Sequence, residues 1–284
     1  MSPVRLLRSF APPVASVRYL GKPGAFPLML AVAAISLSAF APVIVHDAGE
    51  RYPLAPAARS SDTRPTVYAR AVPSRRGGEW LQYWLFYAGQ DQDRGIVRTG
   101  RHEGDWELVQ YRVDGGRPLE AVYAQHRGGE RCGWGTVQTR GGHPIVYPAH
   151  GSHASYFRAG TRDRLWPDPN DEADGRGLAT TPAVVEVTAD DPAWMRYRGR
   201  WGGARAHWWI PGEQDSPVGP AFQRGRRWSD PDAFADAARD CQAGCNHVNA
   251  CDAPERGLSL AFAAIPAALL LWLRGRLRRP RAGA

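Results

Sequence analysis

The sequence predicts a mostly β fold: a two-sheet β-sandwich with long loops and one or two short helices, flanked by an N-terminal and a C-terminal transmembrane segment. Three observations lead there. Residues 66–157 are rich in aromatic and β-branched residues punctuated by glycine, the composition of strands and turns. Residues 79–87 are apolar on both alternating faces (Trp80, Trp84, Phe86 against Leu81, Tyr83, Leu85, Tyr87), as a strand covered on both sides requires. Each end of the chain carries an uncharged apolar run with basic residues on its outer side.

In chain order, residues 1–46 contain Arg5, Arg8, Arg18 and Lys22 and no acid, and 26–45 has the length, ~20 residues, that crosses a bilayer. This region is expected to be a cytoplasmic tail with a transmembrane anchor or signal sequence. The long basic start, and Pro42 directly after the small residues Ala39 and Ala41, favour an uncleaved anchor. The polar, proline-rich stretch 47–65 reads as a linker. Residues 66–255 form the expected extracytoplasmic β-sandwich domain. Its strands are expected at 66–72, 79–87, 105–113, 119–125, 133–139, 144–147 and 183–188. A long polar loop covers 158–182, and a strand pair is expected within 194–209 around Gly202-Gly203. Ser229-Asp230-Pro231 supplies an N-cap and a proline at the first helical position, so 232–241 is expected to be helical. The second uncharged run, 257–273, ends in Arg274, Arg276, Arg278, Arg279 and Arg281, which gives 257–284 as a transmembrane segment and basic cytoplasmic tail. Both ends then lie in the cytoplasm and the main domain outside, at the cell membrane.

The net charge of +8 belongs to these tails, which together carry +9 and leave the middle near −1. A near-neutral domain lacks the basic footprint that phosphate backbones demand, so nucleic acid is excluded as a partner. No phosphate-binding glycine loop follows a strand, which excludes nucleotides. Lys22 is the only lysine, so the exported domain has none to act as nucleophile or phosphate clamp. Cys132, Cys241, Cys245 and Cys251 suit two disulfides in an oxidising compartment, with three possible pairings. Zinc held by Cys241, Cys245, His247 and Cys251 is the alternative, at a spacing unlike the usual zinc patterns.

The chemistry concentrates in Arg101-His102-Glu103-Gly104-Asp105-Trp106-Glu107. In a strand, Asp105 and Glu107 share one face while Trp106 and Leu108 point into the other layer. His102, in the preceding loop, can fold over the carboxylates, and Asp91 or Asp93 can add an oxygen. Carboxylate oxygens with one imidazole suit a divalent cation, magnesium or calcium before zinc or manganese. The run Tyr147-Pro148-Ala149-His150-Gly151-Ser152-His153 adds imidazoles, and His126, His150 and His153 are the candidate proton donors or acceptors. Ser152 sits in no nucleophile-elbow pattern. Asp168-Pro169-Asn170-Asp171-Glu172-Ala173-Asp174-Gly175 looks like a calcium loop but lacks its terminal glutamate, and reads as solvated, with a second, weak calcium site as the alternative. Trp194, Trp201, Trp208 and Trp209, with the arginines among them, read either as core and rim or as a platform for a sugar or lipid headgroup. His143 and His207 have no evident partners.

Several blocks in order resemble a family of unknown function named after a vacuolar protein sorting factor, with plant, fungal and bacterial members. They are 80–86, Gln90-Asp91-Gln92, 102–107, Ala121-Val122-Tyr123-Ala124-Gln125-His126 and 147–156. The order Tyr83-Trp84, Tyr87, Asp91-Gln92, His102, Asp105-Trp106-Glu107 is also similar, more distantly, to necrosis-inducing cytolysins of plant pathogens. Here the spacer before His102 is longer, and an extra residue separates Gly100 from His102. That resemblance implies a β-sandwich and a divalent-metal site at Asp91, His102, Asp105 and Glu107. The expected function is a membrane-anchored domain that binds a polar envelope ligand, a glycan or lipid headgroup, through the cation. A metal-dependent hydrolase of envelope or extracellular substrates is the alternative.

Overall fold

The computed structural model describes residues 37–57, 63–92, 100–162, 170–209, 213–241 and 266–274. The fold is mostly β. Its strands are β1 (Val43–Val45), β2 (Thr66–Pro73), β3 (Glu79–Gln90), β4 (His102–Asp114), β5 (Arg117–Gln125), β6 (Gly128–Gly133), β7 (Thr139–Arg140), β8 (His143–Pro148), β9 (Ser155–Tyr156), β10 (Gly160–Arg162), β11 (Asp171–Ala173), β12 (Ala179–Thr180), β13 (Ala183–Glu186) and β14 (Arg239–Asp240). A seven-stranded sheet runs β13-β2-β3-β4-β5-β6-β14, and a smaller one runs β12-β1-β8-β7 with β9 on β8. β10 and β11 form a separate antiparallel ribbon.

The two faces of the large sheet are chemically distinct. Tyr83, Leu85, Tyr87, Val109, Tyr111 and Tyr123 point toward the small sheet, where Ile44 and Val146 meet them. Trp80, Trp84, Trp106, Leu108 and Val122 point the other way and are covered by Met195, Trp228 and Phe234 of the C-terminal third. The alternation expected for 79–87 and for 105–108 is therefore realised, with β3 and β4 inside the sheet and buried on both sides. Tyrosine hydroxyls tie the layers: Tyr83 donates to the Leu37 carbonyl at 2.7 Å and Tyr123 to the Ile145 carbonyl at 2.8 Å. The helix Pro231–Ala237 begins as expected, with Asp230 accepting from the Ala233 amide at 3.0 Å, but ends sooner, and the chain turns into β14.

Several expectations are corrected. The end of the apolar run 26–45 belongs to the domain: β1 is buried between β8 and β12, and Leu37 and Ala41 lie in the core. A β-branched Val43-Ile44-Val45 run suits a strand, and an uncharged apolar stretch reads alike as buried strand or span. Residues 26–36 lie outside the described residues. The described part of the expected linker 47–65 is also folded in, since Leu54 and Ala55 are buried; residues 58–62 lie outside the described residues. The loop expected at 158–182 contains β10, β11 and β12, and 194–209 forms a 3₁₀ turn (Ala193–Arg196) and irregular chain rather than a strand pair. Of the second apolar run, 266–274 is helical and exposes Leu269, Leu270, Leu271, Trp272 and Leu273. No helix among the described residues is long and apolar enough to cross a membrane.

Cys132 on β6 is bonded to Cys241, directly after β14, with Cα atoms 4.7 Å apart. Cys245, His247 and Cys251 lie outside the described residues.

Gly104 adopts φ +67°, and a Cβ there would collide with the Trp201 carbonyl. Left-handed backbone alone costs a non-glycine residue about 1–2 kcal/mol. Gly104→Ala is accordingly expected to lower unfolding free energy by at least about 2 kcal/mol, read from the denaturant midpoint.

Candidate functional site

At the end of the large sheet where β3 runs out and β4 begins, the inward face turns from apolar to charged. Asp105 lies opposite Tyr87 and Glu107 opposite Leu85 in the β3–β4 ladder, so both carboxylates enter the space between the sheets. Both residues are buried. His102 is not in a loop above them: it pairs with Gln90 at the start of β4. Its Nδ1 donates to the Gly104 carbonyl at 2.7 Å, so in the neutral ring Nε2 keeps its lone pair.

His153 closes the cluster. Its Nδ1 donates to Asp105 Oδ2 at 2.9 Å, its Nε2 faces Glu50 Oε1 at 3.4 Å, and its ring stacks on Tyr87 at 3.9 Å. The Glu50 contact is an ion pair rather than a well-formed hydrogen bond. Glu50 also accepts from the amides of Tyr52 at 2.7 Å and Gly151 at 2.9 Å. Burial by itself lowers the His153 pKa, but the bond to Asp105 and the contact with Glu50 outweigh it and hold it up at about 9. Burial would raise Glu50, yet His153 and the two amides pull it down to about 2. Burial lowers His46 to about 4, partly offset by Glu50. His153 is thus an imidazolium between two carboxylates.

Glu107 is left outside this pairing. Burial, then the charge of Asp105, push its pKa well up. Its Oε2 is buried with no hydrogen-bond partner among the described residues, as is the Tyr87 hydroxyl. Buried polar atoms are nearly always satisfied, and an orphaned carboxylate oxygen is costly.

Of the expected ligands, the structure brings Asp105 and Glu107 together. It engages Asp91 elsewhere: Oδ2 pairs with Arg51 and Oδ1 with Arg101, each at 3.0 Å. Among the described residues, three ligand atoms lie within 4.8 Å of one another at Glu130, Cys132 and Cys241, and those sulfurs are already joined in the disulfide. His102, Asp105 and Glu107 make no such trio as they stand. The orphaned Glu107 oxygen beside a second buried carboxylate fits a cation. Asp91, saturated by two guanidinium groups, does not fit, and Asp93 lies outside the described residues.

A second polar knot lies nearby. Asp171, expected in a solvated loop, is buried on β11 and accepts from Ser152 Oγ at 2.7 Å and from Tyr156 OH at 2.6 Å, with His126 Nε2 at 2.5 Å. Arg227 donates to the His126 carbonyl at 2.5 Å and its charge acts on Glu107. His150 lies at the surface, 3.8 Å from Asp47. His143 meets the Ala41 carbonyl at 2.9 Å and His207 meets Glu213 at 2.8 Å. Of the tryptophans, Trp194 and Trp201 pack against the core while Trp208 and Trp209 are exposed. Sequence reasoning missed Glu50, His46, Asp171 and Arg227. The one signal was His46 directly after the β-branched run, with Glu50 four residues further on.

No protein-family model matches the chain, and no curated protein matches it. Two solved structures are similar. One, described as a toxin fold for microbial attack and plant defense, shares 14% identity over 60% of this chain and 79% of its own, with a TM-score of 0.36. The other, Necrosis and Ethylene inducing Protein 2 from the causal agent of cocoa's Witches Broom disease, shares 15% identity over 61% of this chain and 77% of its own, with a TM-score of 0.34. At those scores neither carries an inference about this chain. The resemblance to the vacuolar-protein-sorting-associated family finds no support in these comparisons.

Proposed function

We propose that the chain is a membrane-anchored extracytoplasmic domain, a two-sheet sandwich that holds a divalent cation and presents it to a polar envelope ligand, a glycan or lipid headgroup. Asp105 and Glu107 hold the cation, with His102 as a third ligand, and the oxygen-rich set favours magnesium or calcium over zinc or manganese. The orphaned, buried oxygen of Glu107 beside Asp105 carries this reading. The cation supplies positive charge for a polar ligand, and His153 with Glu50 fixes the Asp105 carboxylate from behind. The disulfide suits an exported domain, and the basic flanks with the exposed apolar helix 266–274 support a membrane tie.

The hydrolase reading needs an imidazole free to exchange protons with a substrate. Of the three candidate imidazoles, His153 is fully buried between carboxylates and His126 is bonded to Asp171, which leaves His150 alone at the surface, facing Asp47, and favours binding over hydrolysis.

Cation binding must displace the proton that the raised Glu107 pKa retains, so affinity rises with pH. Thermal unfolding of the full chain with added magnesium or calcium is expected to show a larger rise in Tm at pH 8 than at pH 5. Equal shifts at both pH values, or none, would remove Glu107 as a ligand.

A further inference from the structure

The loop that follows the 3₁₀ turn Ala193–Arg196 is built unlike the rest of the surface. Between Pro192 and Gly212 the chain has four arginines and no acid. Arg196 is paired with Asp190 and Arg200 with Asp215. Arg198 and Arg205 are exposed, and neither has a carboxylate partner among the described residues. Arg198 lies over the Phe222 ring and Arg205 donates to the carbonyls of Gly202 and Ala204. At the tip, Trp208 is 91% and Trp209 61% exposed, the largest exposed apolar side chains among the described residues before the helix 266–274.

The loop's base is fixed. Glu103 accepts from the amides of Gly203 at 2.8 Å and Ala204 at 3.1 Å, and Trp201 packs into the core beneath. The tip therefore projects from a rigid point at the His102 end of β4.

Two exposed indoles on a loop whose exposed Arg198 and Arg205 have no carboxylate partner among the described residues match the boundary between lipid headgroups and acyl chains. There an indole buries its ring and keeps its N–H wet, while arginine meets anionic phosphate. The rings of Trp208 and Trp209 stand at 90° to each other, centroids 5.7 Å apart. That is a wedge rather than the single flat surface that successive sugar rings would stack on.

We propose that the loop carrying Arg198, Arg205, Trp208 and Trp209 is a membrane-contact tip that seats both indoles in the interface of a bilayer containing anionic lipid. It is separate from the Asp105–Glu107 pair and stands without the cation. The membrane tie through 266–274 contributes only proximity.

The test is tryptophan quenching in the full chain reconstituted into phosphatidylcholine–phosphatidylglycerol vesicles made with brominated acyl chains. Three chains are compared: wild type, Trp272→Phe, and Trp272→Phe with Trp208→Ala and Trp209→Ala. The first difference reads the terminal helix, so failure of the membrane tie is seen by itself. The second reads the tip. The proposal expects bromolipid quenching in Trp272→Phe that is lost when Trp208 and Trp209 are removed, with Tm unchanged because both side chains are exposed. Quenching that survives their removal overturns it. So does protection of the two indoles from aqueous iodide by soluble oligosaccharide instead of by vesicles, which would make the tip a glycan surface.

Discussion

Removing the Cys132–Cys241 disulfide is expected to lower unfolding free energy by roughly 3–5 kcal/mol, because it closes a loop of 109 residues and so restricts the unfolded chain. The folded state should change little. β14 stays paired with β6, the Cys241 amide still donates to the Arg131 carbonyl at 2.6 Å, and Arg131 still meets Asp240 at 2.7 Å. The double variant Cys132→Ser with Cys241→Ser is the clean comparison, since a single change leaves a thiol free to re-pair with Cys245 or Cys251. Urea titration reads the difference. A midpoint equal to that of the wild type would mean that the link adds nothing beyond the strand contacts.

His153→Ala is expected to cost about 3–5 kcal/mol, the usual penalty for removing one partner from a buried ion pair. Asp105 and Glu50 would face each other with no cation between them, and Tyr87 would lose its stacked ring. The pH dependence identifies the cause. His153 has its folded pKa raised to about 9 from 6.5, so its contribution is complete below pH 6.5 and is lost as pH rises toward 9. Glu50, lowered to about 2 from 4.5, contributes above pH 4.5 and loses that as pH falls toward 2. His46, lowered to about 4 from 6.5, favours the folded state above pH 6.5 and loses that advantage as pH falls toward 4. In chelator, the variant should lose the decline between pH 6.5 and 9 together with most of the Glu50 slope, which His153 produces, and keep the His46 slope, which burial produces. An unchanged alkaline decline would assign it to another group.

The parts of this account that were legible in the sequence rest on local periodicity. Trp80, Trp84 and Trp106 could be set against Tyr83, Tyr87 and the Asp105–Glu107 pair because strand side chains alternate. Asp230 and Pro231 announced a helix start because capping involves neighbours only. What stayed hidden depends on distant partners. Nothing near Asp91 in the chain indicates that Arg51 takes one of its oxygens. Nothing near Asp171 indicates Ser152, Tyr156 and His126. Val43–Val45 was misread because hydrophobicity without charge does not distinguish a buried strand from a span. The stretch 194–209 was misread because Trp194 and Trp201 pack individually onto the sheet while Trp208 and Trp209 stand exposed, without the regular alternation of a strand.

The most direct test of the cation reading is the metal content of the purified full chain, wild type beside the double variant Asp105→Asn with Glu107→Gln, after dialysis against magnesium and calcium. Both substitutions keep the side-chain volume and remove the charge. The account predicts roughly one divalent ion per chain in the wild type and none in the variant. No ion in the wild type, or equal ion content in both, would contradict it.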